Sequence, residues 1–103
     1  MPVAIPEGAP ATLGEAFARI NSVTAPTVTD IKVMVLVEAA GQTLYEKSAE
    51  GADHPRVKEL LIENGHEEMK HARRAAEVVK LLTGEDFPAP AAADNPYLTG
   101  HIP

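Results

Sequence analysis

Three ionisable residues stand at positions where helical spacing predicts apolar side chains. Glu38 follows Met34 and Val35 on one predicted helix face, and Glu68 and His71 interrupt a second series that is apolar at both ends. A buried carboxylate without a partner costs several kcal/mol, and neither series contains a Lys or Arg to compensate it. Glu68 and His71 are three residues apart, so one helical turn separates them and both can coordinate the same ion. The pattern therefore predicts a metal site whose cation supplies the missing positive charge.

Three further polar residues share these two faces. Tyr45 lies two turns beyond Glu38, and either contributes to the site or is a core aromatic whose hydroxyl reaches the edge. Gln42 and Asn64 are close enough along the two faces to orient carboxylates. Both predicted faces thus become polar over the same stretch.

The prolines define the elements that must position these side chains. No proline interrupts residues 27–54 or 56–87, so each window is free to form one long helix of roughly 25–30 residues. The two windows predict an antiparallel helical hairpin over residues 27–83. The predicted caps are Thr27 or Thr29 and Gly51 for the first helix, and Asp53, with Pro55 in the first turn, and Gly84 for the second.

The flanking regions are predicted to contain less regular structure. Residues 1–26 form an N-terminal segment with one short amphipathic helix around residues 12–21, which places Leu13, Phe17 and Ile20 on one side. Residues 84–103 are rich in Pro and Ala and are predicted to be an extended or loosely docked tail. The fold class expected is therefore all-α.

Composition excludes several functional classes. The chain has 103 residues, no cysteine and a formal charge of −6, which rules out thiol chemistry and argues against nucleic-acid binding. No apolar run approaches the ~20 residues of a membrane span, and the first residues lack the features of a secretory signal, so a cytoplasmic protein is expected. A single domain this small is also expected to need a second copy to complete its core.

The spacing of the site residues resembles that of the ferritin-like di-iron superfamily, on its rubrerythrin side. Glu38 is followed by six residues and Tyr45, and Glu38 and the Glu68-x-x-His71 pair are thirty residues apart. The chain is most similar to the half-length, encapsulated-ferritin-like proteins. Ferritin-like bundles use one Glu from each of two helices and Glu-x-x-His from each of two others, and this chain holds half of that set.

The resemblance implies a homodimer that forms a four-helix bundle around two irons, and further assembly into a ring. Glu38 and His71 would be terminal ligands, Glu68 would bridge the irons, and Tyr45 would hydrogen-bond a ligand or supply an electron. The implied activity is that of a ferroxidase, which oxidises Fe²⁺ with O₂ for iron storage or detoxification. The alternatives are a rubrerythrin-like peroxidase with an external electron donor, and a non-catalytic metal-binding oligomer.

An encapsulin shell is a further partner that the resemblance suggests. The segment 97–102 is loosely similar to the short tails that dock cargo inside such shells. Encapsulated relatives also carry extra carboxylates beside the first helix ligand, whereas this chain has Val37, Ala39 and Ala40 there. Glu46 and Glu67 are the residues that would replace those carboxylates.

Overall fold

A computed structural model describes residues 2–99, and the regular elements in that range are all helical. Helix α1 spans Leu13–Ser22, and two long helices follow, α2 over Val28–Glu50 and α3 over Pro55–Thr83. A 3₁₀ turn at Ala92–Asp94 leads to a final helical turn, α4, at Pro96–Thr99. The all-α prediction is confirmed. Among these described helices, none is both long and apolar enough to cross a membrane.

The start of α2 is fixed by a capping box. The Asp30 N–H donates to the Thr27 hydroxyl at 3.2 Å, and the Thr27 N–H donates back to the Asp30 carboxylate at 2.9 Å. Arg19 of α1 donates to both oxygens of the buried Asp30 at 2.9 and 3.0 Å. These donors, Arg19 above all, hold the pKa of Asp30 well below its usual range. One side chain therefore begins α2 and ties α1 to it.

Helix α3 begins at a different cap from the one predicted. His54, not Asp53, is the N-cap, and its Nδ1 accepts a hydrogen bond from the Arg56 N–H at 3.1 Å. Pro55 then occupies the first helical position, where its missing N–H has no intrahelical partner to lose. Gly84 ends the helix in the left-handed conformation, at φ 75°, as its position predicted.

The two long helices pack against each other in antiparallel orientation. Glu38 lies beside His71, and Gly41 lies beside Glu68 one turn later on α2 and one turn earlier on α3. The α3 residues buried against α2 include Gly65, which lies against Tyr45 and Gln42. The predicted hairpin is therefore present, with the three candidate ligands in its middle.

The opposite side of α2 carries a second hydrophobic cluster. Val33, Leu36 and Val37 pack with Ala16 of α1 and with Tyr97 of α4. Because α2 is buried on both of these sides, it is the central element of the chain. The N-terminal and C-terminal segments complete the core that the hairpin alone would leave open.

The tail, predicted to be extended or loosely docked, is not extended over residues 92–99, which form the 3₁₀ turn and α4 and dock on the rest of the chain. The Asn95 side chain donates to the Leu36 carbonyl at 2.8 Å, and the Tyr97 hydroxyl donates to the Pro10 carbonyl at 2.8 Å. Both side chains are buried, so their burial and hydrogen bonds hold this segment on α2. The later part of the suggested docking segment, from Gly100, lies outside the described residues.

One face of α3 remains uncovered. It carries Val57, Leu60, Val78 and Leu82, each between 39% and 60% exposed. These residues are the apolar ends of the series that Glu68 and His71 interrupt, which the sequence predicted to face the core. The buried positions of α3 are instead Gly65, Ala72 and Val79. Each of these three residues lies four positions after a residue of the predicted series, namely Leu61, Glu68 and Ala75. The buried face of α3 is therefore rotated by about 40° around the helix from the predicted face. We call the exposed apolar stripe, with Glu68 and His71 within it, the open face of α3.

Candidate metal centre

Glu38 of α2 and Glu68 and His71 of α3 lie together near the middle of the hairpin. One ligand atom from each residue can be chosen so that all three lie within 4.8 Å of one another. The Nδ1 atom of His71 is 3.8 Å from the nearer Glu38 oxygen, which is too long for a hydrogen bond. The three residues that the sequence singled out are therefore brought together around a space in which a cation can bind.

Burial and charge make this cluster unusual. The Glu38 side chain is 28% exposed, whereas that of His71 is 48% exposed and faces outwards. Burial, followed by hydrogen bonding to and repulsion from Glu68, raises the pKa of Glu38 to about 8. Glu38 therefore holds a proton at neutral pH unless a cation takes its place.

Two glycines lie in the helix interface beside the cluster, and sequence reasoning missed both. A Cβ on Gly41 would lie 3.1 Å from a carboxylate oxygen of Glu68. A Cβ on Gly65 would lie 3.2 Å from the Gln42 carbonyl oxygen and 3.3 Å from the Tyr45 Cβ. The signal in the sequence was a glycine inside each predicted long helix, where glycine is unfavourable without a packing reason.

A cleft of about 350 Å³ opens beside Glu68. Tyr45 lines it together with Phe17, Leu44 and Ser48, so Tyr45 lies near the cluster as predicted from its face. Within residues 2–99, no hydrogen bond joins the Tyr45 hydroxyl to the candidate ligands. Gln42 and Asn64 were predicted to orient carboxylates, but within residues 2–99 their side chains likewise form no hydrogen bond to the candidate ligands.

Neither of the two carboxylates proposed as substitutes belongs to the three-residue cluster. Glu67 is exposed and pairs with Lys70 at 3.1 Å, and this ammonium group lowers the pKa of Glu67. Glu46 lines a separate cleft with Lys58 and Ile62. A larger groove of about 880 Å³ runs between α3 and residues 86–91, and it contains none of the three candidate ligands.

The donor set is chemically suited to a divalent metal. Two carboxylates and one imidazole bind iron, zinc or manganese, and Gly41 leaves the space that the Glu68 carboxylate occupies. Three protein ligands leave coordination positions open for further ligands. The cluster therefore fits a metal ion on both its chemistry and its space.

No protein-family model, curated protein or solved structure matches this chain. The functional interpretation therefore depends on the geometry of the cluster and on the helices that carry it.

Proposed function

We propose that two copies of this chain form a four-helix bundle that holds a di-iron centre and acts as a cytoplasmic ferroxidase. The observation that carries the proposal is the convergence of Glu38, Glu68 and His71 within 4.8 Å, on two helices and without a Lys or Arg among them. Glu38 is held protonated by burial and by its neighbour Glu68, so a bound cation would stabilise the ionised form of both carboxylates.

The ligand count supports a shared centre. Each chain offers two carboxylates and one histidine, and di-iron bundles use twice that number. A two-fold axis supplies each residue twice at no further cost in sequence. Closed rings of such dimers are part of the same proposal.

The open face of α3 supports a second copy as the partner. Val57, Asn64, His71 and Val78 recur every seven residues, and Leu61, Glu68, Ala75 and Leu82 form a second such series. Two series of this kind are the pattern by which helices pack in bundles. Glu68 and His71 lie inside it, so a copy bound to this face would place its own cluster next to the first.

The proposed chemistry assigns a task to each side chain. In each chain Glu38 and His71 would be terminal ligands of the same iron, and Glu68 would be the ligand shared by both ions. Two Fe²⁺ ions supply the two electrons that, with two protons, reduce O₂ to hydrogen peroxide and leave two Fe³⁺ ions. Glu38 would give up its proton when metal binds, and Tyr45 would hydrogen-bond a ligand or donate an electron. The net charge of −6 attracts Fe²⁺ from solution.

An encapsulin shell remains a prediction. Tyr97 is buried and hydrogen-bonded within its own chain, so a docking segment would consist of the residues that follow it. Co-expression of the chain with an encapsulin, with and without residues 100–103, tests this partner.

The decisive experiment is an anaerobic Fe²⁺ titration followed by addition of O₂. We expect tight saturation at two irons per two chains and rapid oxidation on exposure to O₂. Glu68→Ala should abolish oxidation because both irons lose their bridge, whereas Glu63→Ala, on the exposed side of α3, is the matched control. Oxidation by Glu68→Ala at the parent rate would contradict the proposal.

The same titration separates the alternatives. Faster consumption of hydrogen peroxide than of O₂, sustained by an added reductant, would favour the peroxidase. Metal binding without oxidant consumption would favour the non-catalytic oligomer. In such an oligomer Glu38, Glu68 and His71 would form a polar network that fixes the alignment of the helices. Their removal should then lower the stability of the metal-free protein.

A further inference from the structure

Gly41 lies opposite Glu68 in the interface between the two long helices. The three heavy atoms nearest to a Cβ at this position all belong to the Glu68 side chain, at 3.1 Å from Oε2, 3.2 Å from Cγ and 3.3 Å from Cβ. Gly41 is buried and lies in the interior of α2 with an ordinary helical backbone. The backbone conformation therefore gives no reason for glycine here.

Gly65 shows what a packing glycine looks like in the same interface. Its Cβ would meet the Gln42 carbonyl oxygen at 3.2 Å, the Tyr45 Cβ at 3.3 Å and the Gln42 Cα at 3.5 Å. Two of those three atoms are backbone, and none belongs to a candidate ligand. The two glycines thus serve different neighbours, although both lie between α2 and α3.

We infer that Gly41 is a positioning residue that reserves the space for the Glu68 carboxylate and so sets where that ligand can reach the metal. The inference rests on the proposed function, because it concerns the same site. An Ala at position 41 would force Glu68 to move by a few tenths of an ångström. Productive metal sites tolerate displacements of only about 0.5 Å, and two-fold symmetry would apply this displacement to both bridging carboxylates.

The test is a double-substitution cycle with Co²⁺ as the probe, measured by binding affinity and by the visible absorption of the bound ion. The variants are Gly41→Ala, Glu68→Ala and both together. Gly14→Ala is the matched control, because Gly14 lies in α1 and a Cβ there meets nothing within 4 Å. We expect Gly41→Ala to lower Co²⁺ affinity about tenfold and to change the spectrum, while Gly14→Ala changes neither.

The combined variant decides whether Gly41 acts through Glu68. In the Glu68→Ala background, Gly41→Ala should change Co²⁺ affinity by less than about twofold, since the displaced carboxylate is already absent. An equal loss in both backgrounds, or parental affinity and spectrum in Gly41→Ala, would overturn the inference. Parental Co²⁺ affinity in Glu68→Ala alone would instead contradict the proposed function.

Thermal unfolding of the metal-free variants covers the case in which Gly41→Ala folds poorly. The double variant lacks the Glu68 Oε2 and Cγ atoms that crowd position 41, so it should unfold at a higher temperature than Gly41→Ala. Failure of both variants to fold would show that Gly41 is required for helix packing alone, and the inference would be wrong.

Discussion

Glu38 is the residue that most strongly distinguishes this cluster from an ordinary surface pair. Its raised pKa means that the folded, metal-free chain binds a proton more tightly than the unfolded chain does. The protonated carboxyl thus stabilises the fold below its ordinary pKa, and this contribution is lost as the pH rises towards about 8. A metal ion has the opposite effect on the Glu38 side chain: it binds the carboxylate and not the acid, so it favours loss of the proton.

Metal binding should therefore release a proton from Glu38. With Co²⁺ added at about pH 6.5, we expect about one proton per chain and an affinity that increases with pH until about pH 8. A pH indicator in weakly buffered solution measures the release. Glu38→Gln should bind Co²⁺ weakly and release no proton from this position, and proton-free binding by the parent protein at the same pH would contradict the prediction.

At the scale of elements, the long helices followed from local signals in the sequence. Helix α2 has Thr27, one of the two predicted N-caps, at its start and the predicted Gly51 at its end, because capping and helix termination depend on neighbouring residues alone. The N-cap of α3 is His54, one residue after the predicted Asp53, since either side chain can accept a hydrogen bond from the first turn. Hairpin formation also brought the three candidate ligands together as their shared faces predicted.

The features that could not be predicted depend on contacts distant in sequence. Asn95 and Tyr97 hold the tail through the carbonyls of Leu36 and Pro10, and no local pattern indicates such partners. On the face that α3 turns towards α2, Gly65 lies against Gln42 and Tyr45, and Glu68 lies against Gly41. Periodicity located the apolar stripe of α3 but not the element that covers it.

Outside the candidate metal centre, Asp30 is the residue whose substitution we expect to lower the free energy of unfolding most, because it joins α1 to the start of α2. Asp30→Asn removes the charge that Arg19 and the α2 capping box both use. We expect a loss of about 1–3 kcal/mol in the free energy of unfolding at neutral pH, measured by urea denaturation.

The matched control for Asp30 is Glu59→Gln, in an exposed pair with Arg56. It should cost at most about 0.5 kcal/mol, because exposed ion pairs contribute little. Since the pKa of Asp30 is lowered, the difference between Asp30→Asn and the parent should persist at neutral pH and disappear only in strong acid. A difference that vanished already near pH 5 would be inconsistent with the ion pair.

At the scale of the whole molecule, α2 is covered from two directions. Helix α3 packs on one side, and the N-terminal segment, α1 and the tail pack on another. The open face of α3 and the cleft between Phe17 and Glu68 remain beside the candidate metal centre. The exposed apolar side chains and the candidate ligands thus occur at the same place, which is why the proposal connects assembly with metal binding.

Val78→Glu tests that connection. Val78 is 39% exposed on the open face of α3, seven residues after His71, and Ile62 is 37% exposed on the other edge of the hairpin. In the proposed dimer a carboxylate at position 78 would be buried against the second copy, so Val78→Glu should make the chain monomeric and weaken Co²⁺ binding at least tenfold. Ile62→Glu, with similar exposure, should keep both the oligomer and the affinity. Light scattering during the Co²⁺ titration measures mass and binding together. A monomeric Val78→Glu that still binds two metal ions per chain tightly would show that one chain completes the site, and the shared centre would be wrong.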